Sequence, residues 1–281
     1  LTNWFCHNTR LLLEHFAARN VRGTFFVLGL AAEKAPELVR EIAAAGHEIQ
    51  SHGYGHRLIH TMTAAQFRED VRRAKRVVED LTGSPVVGYR APAFSITQDT
   101  LWALDVLCDC GFEYDASIFP VKMRRYGIDG AIRRPHRVRT LSGATILELP
   151  VASASLLGRT LPVGGGGYFR LFPYVVLRRA IRQINNSGHS GFVYMHPYEY
   201  NPDELRQLPV NMPLALRLHQ STGRRGFRRK VDRLLADFSF APIRDVLASL
   251  SDIPLHHYRR ASGAEWARPE VDRFSPAGST S

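Results

Sequence analysis

Short apolar runs alternate along the chain with longer stretches whose apolar residues recur at helical spacing. GTFFVLGL, residues 23–30, is short, apolar, and partly aromatic and β-branched, as expected of a buried strand. APELVREIAAAGHEI predicts a helix ended by Gly46 and then a strand running into Ser51. TAAQFREDVRRAKRVVEDLTG places Phe67, Val71, Ala74 and Val78 on one helical face and stops at Gly83. SPVVGYRAP predicts a strand, TQDTLWALDVLCDCG a helix and FEYDASIF a strand. Residues 121–144, rich in arginine, glycine and proline, break the rhythm and read as a long excursion. TILELPVAS is then a strand, GGGGYFRLFPY a glycine-rich loop, PYVVLRRAIRQINNSG a helix and GFVYMHPYEY a final strong strand. A basic, weakly patterned extension follows Asn201 and closes with a helix over residues 243–250.

Strand and helix in alternation indicate an α/β fold with a parallel sheet and crossover helices, as an open doubly wound sheet or a closed barrel. His52, Arg90, Asp115 and His196 all fall at the carboxyl ends of predicted strands. Both architectures build active sites at that edge, so the placement supports a site without choosing between the folds.

At 281 residues and 44% hydrophobic, the chain has material for one main domain with a sizeable core. The division expected is a main domain over 1–200, a basic extension over 201–260 packing on it, and a disordered tail over 261–281. No apolar run approaches the ~20 residues of a membrane span, and Leu1 opens no signal pattern, so the expectation leans to a cytoplasmic protein. Cys6, Cys108 and Cys110 are too few and too unevenly placed for a disulfide framework, which fits a reducing compartment. The net charge of +11 would suit an anionic partner, but only RRGFRRKVDR, residues 224–233, concentrates it. No nucleic-acid reading motif accompanies it, so specific nucleic-acid binding is not expected.

The chemistry centres on SHGYGHRLIH, residues 51–60, where His52 and His56 lie four apart with Gly53 and Gly55 between them. Two imidazoles so spaced can converge on one divalent ion from a tight glycine turn, though an ordinary surface loop has the same composition. Arg90, stiffened by nearby Pro92, is placed to fix a carboxylate bidentately or to form a structural ion pair. Asp115 and His196 form a second candidate pair, because a histidine held by a carboxylate can deliver a proton to a leaving amine.

Taken in order, SHGYGHR, YRAPAFSI, YDASIFP and MHPYE resemble the motifs of the NodB-homology polysaccharide deacetylases. With GGGGYFRLFPY and FAPIRDVL, the resemblance is to the branch associated with bacterial exopolysaccharide and exosortase gene clusters, over about residues 8–250. The resemblance implies a distorted (β/α) barrel that hydrolyses N-acetyl groups of amino sugars in a polysaccharide, using a divalent metal such as zinc. It implies His52 and His56 as metal ligands, Arg90 as the group orienting a catalytic aspartate, and His196 as general acid tuned by Asp115. The backbone amide of Ala93, where relatives carry tyrosine, is the candidate oxyanion donor. Tyr168 and Phe169 are candidate stacking faces for sugar, or else parts of a packed turn.

The family's first motif adds two aspartates at the end of the first barrel strand, and LTNWFCH at the start of this sequence has no carboxylate. Because the chain also begins with Leu1, the expectation is an N-terminally truncated deacetylase lacking its first strand, with an unpaired barrel edge. Three competing readings stay in view. One is a metal-independent allantoin hydrolase, which the retained His52 and His56 oppose; another is a non-catalytic carbohydrate-binding remnant. The third, an anionic-surface or nucleic-acid binder, would betray itself by a steep salt dependence.

Overall fold

The computed structural model describes residues 3–123, 126–156, 158–204, 221–251 and 253–258. The tail over 261–281 and residues 205–220 lie outside the described residues. The chain opens with helix α1 (Asn3–Ala18) and continues with β1 (Thr24–Val27), α2 (Gly29–Lys34), α3 (Pro36–Ala44) and β2 (Glu48–Ser51). Next come α4 (Ala64–Thr82), β3 (Gly88–Tyr89), α5 (Trp102–Asp109) and β4 (Tyr114–Asp115). Four strands follow, β5 (His136–Arg139), β6 (Thr145–Glu148), β7 (Ser153–Leu156) and β8 (Arg159–Pro162). The remaining elements are α6 (Gly166–Leu171), α7 (Tyr174–Asn186), α8 (Phe227–Asp237), α9 (Ile243–Leu247) and β9 (Leu255–His256).

Seven strands form one sheet in the order β1-β2-β3-β4-β6-β5-β9. The first five in that order run parallel, whereas β5 lies antiparallel to β6. Among the described residues the sheet does not close: β1 is its edge, so the expected α/β architecture is present as an open rather than a closed barrel. Helix α4 follows the sequence pattern closely. Thr63 and Gln66 cap its start reciprocally, Phe67, Val71, Ala74 and Val78 are buried, and Gly83 ends it in the left-handed region at φ 63°.

Two apolar regions hold the elements in place. One lies under β2 and β3, where Phe67, Val71, Tyr89 and Leu104 are packed together. The other joins α1 and α6–α8 through Phe16, Phe169, Leu177 and Phe227.

Three predicted elements differ. Residues 136–139, inside the expected excursion, form β5, because alternate burial of His136 and Val138 suits an edge pairing on β6. GGGGYFRLFPY contains the short helix α6 rather than only loop. GFVYMHPYEY is held by isolated bridges, Val151 to Phe192 and Gly165 to Tyr194, and then turns into a 3-10 helix at Pro197–Tyr200. The glycines explain that bridging: a Cβ on Gly164 would lie 2.6 Å from the Phe192 carbonyl oxygen, so only glycine admits this close backbone approach.

Candidate active site

Parallel register brings the predicted residues to one edge. The His52 amide donates to Val27 O at the end of β1, the Arg90 amide to Ser51 O at the end of β2, and the Ala116 amide to Tyr89 O at the end of β3. His52, His56, Arg90, Ala93 and His196 all line one cavity of about 1450 Å³ that runs along β1.

The loop carrying the histidines is built for one shape. Gly53 sits at φ 77°, and a Cβ there would lie 2.8 Å from Asp70 Oδ2. That carboxylate accepts from the Tyr54 amide at 2.8 Å and, through Oδ1, from the Gly55 amide at 3.4 Å, tying the loop to α4. His56 occupies the left-handed region at φ 58°, the kind of strain that surrounding bonds must hold in place. The two rings lie 5.3 Å apart, edge to face at 71°.

His52 Nδ1 lies 2.6 Å from Arg90 O; donation to that carbonyl fixes the proton on Nδ1 and leaves Nε2 with its lone pair. Burial pushes the His52 pKa down to about 3, and burial followed by the charge of His196 lowers that of His56. Both rings are therefore neutral at pH 7, as a metal ligand must be. Two such imidazoles fit a zinc-type ion as half of a four-ligand set. Among the described residues no third histidine, cysteine or carboxylate joins them in a metal-sized cluster.

Arg90 is partly buried, with its guanidinium carbon 4.7 Å above the Phe26 ring and 5.7 Å from those of Phe94 and Tyr194. Its Nε donates to Ala116 O at 3.1 Å. Among the described residues no carboxylate makes an ion pair with it, so the aspartate expected at that place is not one of them. Ala93 is exposed on the cavity wall in a left-handed conformation (φ 49°, ψ 30°) within the 3-10 turn Pro92–Phe94.

Asp115, expected to tune His196, makes its hydrogen bonds with Ser117 instead. It is fully buried, with Ser117 Oγ at 2.5 Å from Oδ1 and the Ser117 amide at 3.2 Å from Oδ2. Ser117 Oγ in turn accepts from the Ala91 amide at 2.7 Å, so Asp115 shapes the Arg90–Ala93 turn rather than tuning His196. Directly across the β4–β6 pairing lies Glu148, also fully buried. Burial and then the Asp115 charge push the Glu148 carboxyl well above the usual carboxylate range, and its Oε1 accepts from the Ile118 amide at 3.0 Å.

The carboxylate beside His196 is Glu199. Its Oε2 accepts from the His196 amide at 2.9 Å and lies 3.4 Å from His196 Nδ1. Phe169, a candidate either to stack on sugar or to belong to a packed turn, is buried and packs edge-on against Phe227 at 5.7 Å. Tyr168 is partly buried, and its hydroxyl reaches Met123 Sδ at 3.8 Å, away from the cavity lining. Asp70, Ser117, Glu148 and Glu199 were missed from sequence. Only Asp70 left a signal, as an acidic residue beside the buried positions Phe67 and Val71 of α4.

Comparison with known proteins finds two family matches and several relatives. Residues 6–114 match the family described as polysaccharide deacetylase, and residues 116–248 match a domain of unknown function, DUF3473. A peptidoglycan deacetylase from Helicobacter pylori is 34% identical over 107 residues, 38% of this chain and 36% of the relative. The chain spans about a third of the length of the curated relatives it matches. Among solved structures, a Mycobacterium smegmatis protein assigned to the polysaccharide deacetylases superposes with TM-score 0.55 at 23% identity, covering 94% of this chain and 82% of its own. An allantoinase superposes with TM-score 0.57 at 19% identity, covering 86% of this chain and 71% of its own. At these identities the superpositions speak for the fold alone.

Proposed function

Residues 6–114 belong to the polysaccharide deacetylase family, and from that premise we propose that the chain is a metal-dependent hydrolase removing N-acetyl groups from amino sugars of a polysaccharide. The observation that carries this reading is the convergence of His52, His56, Arg90, Ala93 and His196 on one cavity at the carboxyl edge of a parallel sheet. The peptidoglycan deacetylases among its relatives support an amino-sugar polymer as the substrate class.

His52 and His56 hold the metal, zinc being the ion that best suits neutral imidazoles. When bound, the ion polarises the acetyl carbonyl and lowers the pKa of water. The Ala93 amide donates to the oxyanion that develops on the acyl oxygen. Water adds to the acyl carbon and loses a proton to the base; as the amide C–N bond then breaks, His196 gives a proton from Nε2 to the departing amine, and acetate is left. Arg90, walled by Phe26, Phe94 and Tyr194, keeps a positive charge beside the site and orients the base. Among the described residues no third ligand joins His52 and His56.

The absence of a third ligand among the described residues favours one other reading, a carbohydrate-binding remnant without catalysis. Acetate release and binding of an N-acetylglucosamine oligomer, measured for these 281 residues and for the longest reading frame containing them, separate the two. The deacetylase reading expects zinc-dependent acetate from at least the longer protein. Tight oligomer binding by both with no acetate from either would establish the remnant.

A further inference from the structure

The domain of undefined function contributes more than His196 itself, because the groups packed around that ring are fixed in their turn by buried arginines. His196 is half exposed to the cavity, with 46% of its side chain accessible. Its ring stacks on Tyr198 at 4.9 Å and 16°, and meets the edge of Tyr194 at 5.6 Å and 88°. A group so exposed would ordinarily sample several rotamers, so the stack and the Glu199 carboxylate beside Nδ1 set its direction.

Neither of these supports rests on itself. Glu199 is wholly buried and lies 3.2 Å from Nε of Arg170, which is 5% exposed and comes from α6. Lys230 of α8 donates to the carbonyls of Phe169, Arg170 and Phe172, closing the end of α6 and anchoring Arg170. Arg224, only 3% exposed, lies 4.7 Å over the outer face of Tyr198 and donates to Tyr198 O at 3.2 Å. Gly223 makes that approach possible, since a Cβ there would lie 2.8 Å from Arg170 O. The basic run at 224–233 thus spends Arg224 and Lys230 inside the fold, and Arg233 over the Tyr174 ring at 4.3 Å.

We propose that Tyr198 and Glu199, clamped by Arg224 and Arg170, are positioning residues that hold the His196 imidazole in one orientation and one tautomer toward His52 and His56. This rests on the reading of His196 as proton donor. The carboxylate beside Nδ1 keeps the proton there and leaves Nε2 as the nitrogen that trades a proton with the substrate. His196 lines the same cavity as His52 and His56, so its direction decides whether it serves that site.

The test uses the whole chain labelled with ¹⁵N and ¹³C at histidine, the His196 signals being assigned from His196→Gln. Tyr198→Leu should remove the ring-current displacement of the His196 protons, and Glu199→Gln should shift the Nδ1 and Nε2 resonances toward the other tautomer. Arg224→Lys, milder than an apolar replacement, should broaden the same signals while circular dichroism stays unchanged. In the acetate assay, Tyr198→Leu should lower kcat about tenfold or more with KM little changed, the mark of lost orientation. His196 signals that stay put in both Tyr198→Leu and Glu199→Gln would overturn the clamp, whatever the assay gives. Signals that move as described, with no acetate from either these 281 residues or the longest reading frame containing them, would uphold the clamp and overturn the proton-donor reading.

Discussion

A histidine pair binds a metal only if both rings are neutral and both are aimed, and here different residues meet the two conditions. Burial supplies neutrality. The His52 pKa is about 3, so the ring stays deprotonated to well below the 6.5 of a solvated histidine. Zinc uptake should accordingly change little between pH 8 and pH 6, as equilibrium dialysis would reveal; a steep loss centred near 6.5 would mean solvated rings. Aim comes from Asp70, whose carboxylate ties the loop through the Tyr54 and Gly55 amides. Asp70→Ala should therefore weaken zinc binding about 10–100-fold, the usual cost of removing a group that orients a ligand. Ala93 makes the opposite case, since its left-handed backbone is strained for any residue with a Cβ. Ala93→Gly should raise stability by about 1 kcal/mol in urea titration while lowering kcat, because the amide is no longer held in place. The sequence made His52, His56, Arg90 and His196 legible, because each follows a strand-like run and so had to emerge at one edge. It could not make Glu148 or Glu199 legible as partners. Their roles depend on cross-strand register and on burial, and Asp115 was paired with the wrong group for the same reason.

Among the elements, those whose pattern is decided locally were readable and those decided by a neighbour were not. Helix α4 carries its own cap, apolar face and terminator. Strand β5 lies in a stretch without a clear pattern and exists because β6 offers it an edge. The segment 191–194 is apolar enough for a long strand, yet it forms only single bridges with Val151 and Gly165. Since Gly164 allows that contact, Gly164→Ala should cost on the order of 1–3 kcal/mol or more by overpacking the backbone, measured as a fall in the urea midpoint. On β5, His136 is completely buried, placed to donate from Nδ1 to Arg134 O and to accept at Nε2 from the Tyr258 hydroxyl. Burial lowers its pKa to about 4, below the value of about 6.5 expected when unfolded. The unfolded chain thus binds the proton first. Stability from this group is complete above pH 6.5 and falls by roughly 1.4 kcal/mol per unit as pH drops toward 4. His136→Gln should flatten that slope in denaturant titrations at a series of pH values; an unchanged slope would place the acid sensitivity elsewhere.

In the molecule as a whole, one open edge organises everything else. The parallel strands deliver His52 and Arg90 in succession, the domain of undefined function delivers His196 and its clamp, and β1 faces the cavity between them. The fold class was legible from the alternation of strands and helices, and the expectation of an unpaired barrel edge came from the family resemblance rather than from any periodicity. Among the described residues, no helix is long and apolar enough to cross a membrane. The central claim is that metal held at His52 and His56 serves the removal of N-acetyl groups. It is tested most directly by acetate release from an N-acetylglucosamine oligomer, with zinc and after chelation, using the longest reading frame that contains these residues and its His52→Ala variant. The account predicts acetate with zinc, none after chelation, and a rate at least 100-fold lower in His52→Ala even with zinc restored. Acetate released at the same rate after chelation, or undiminished in His52→Ala, would contradict it.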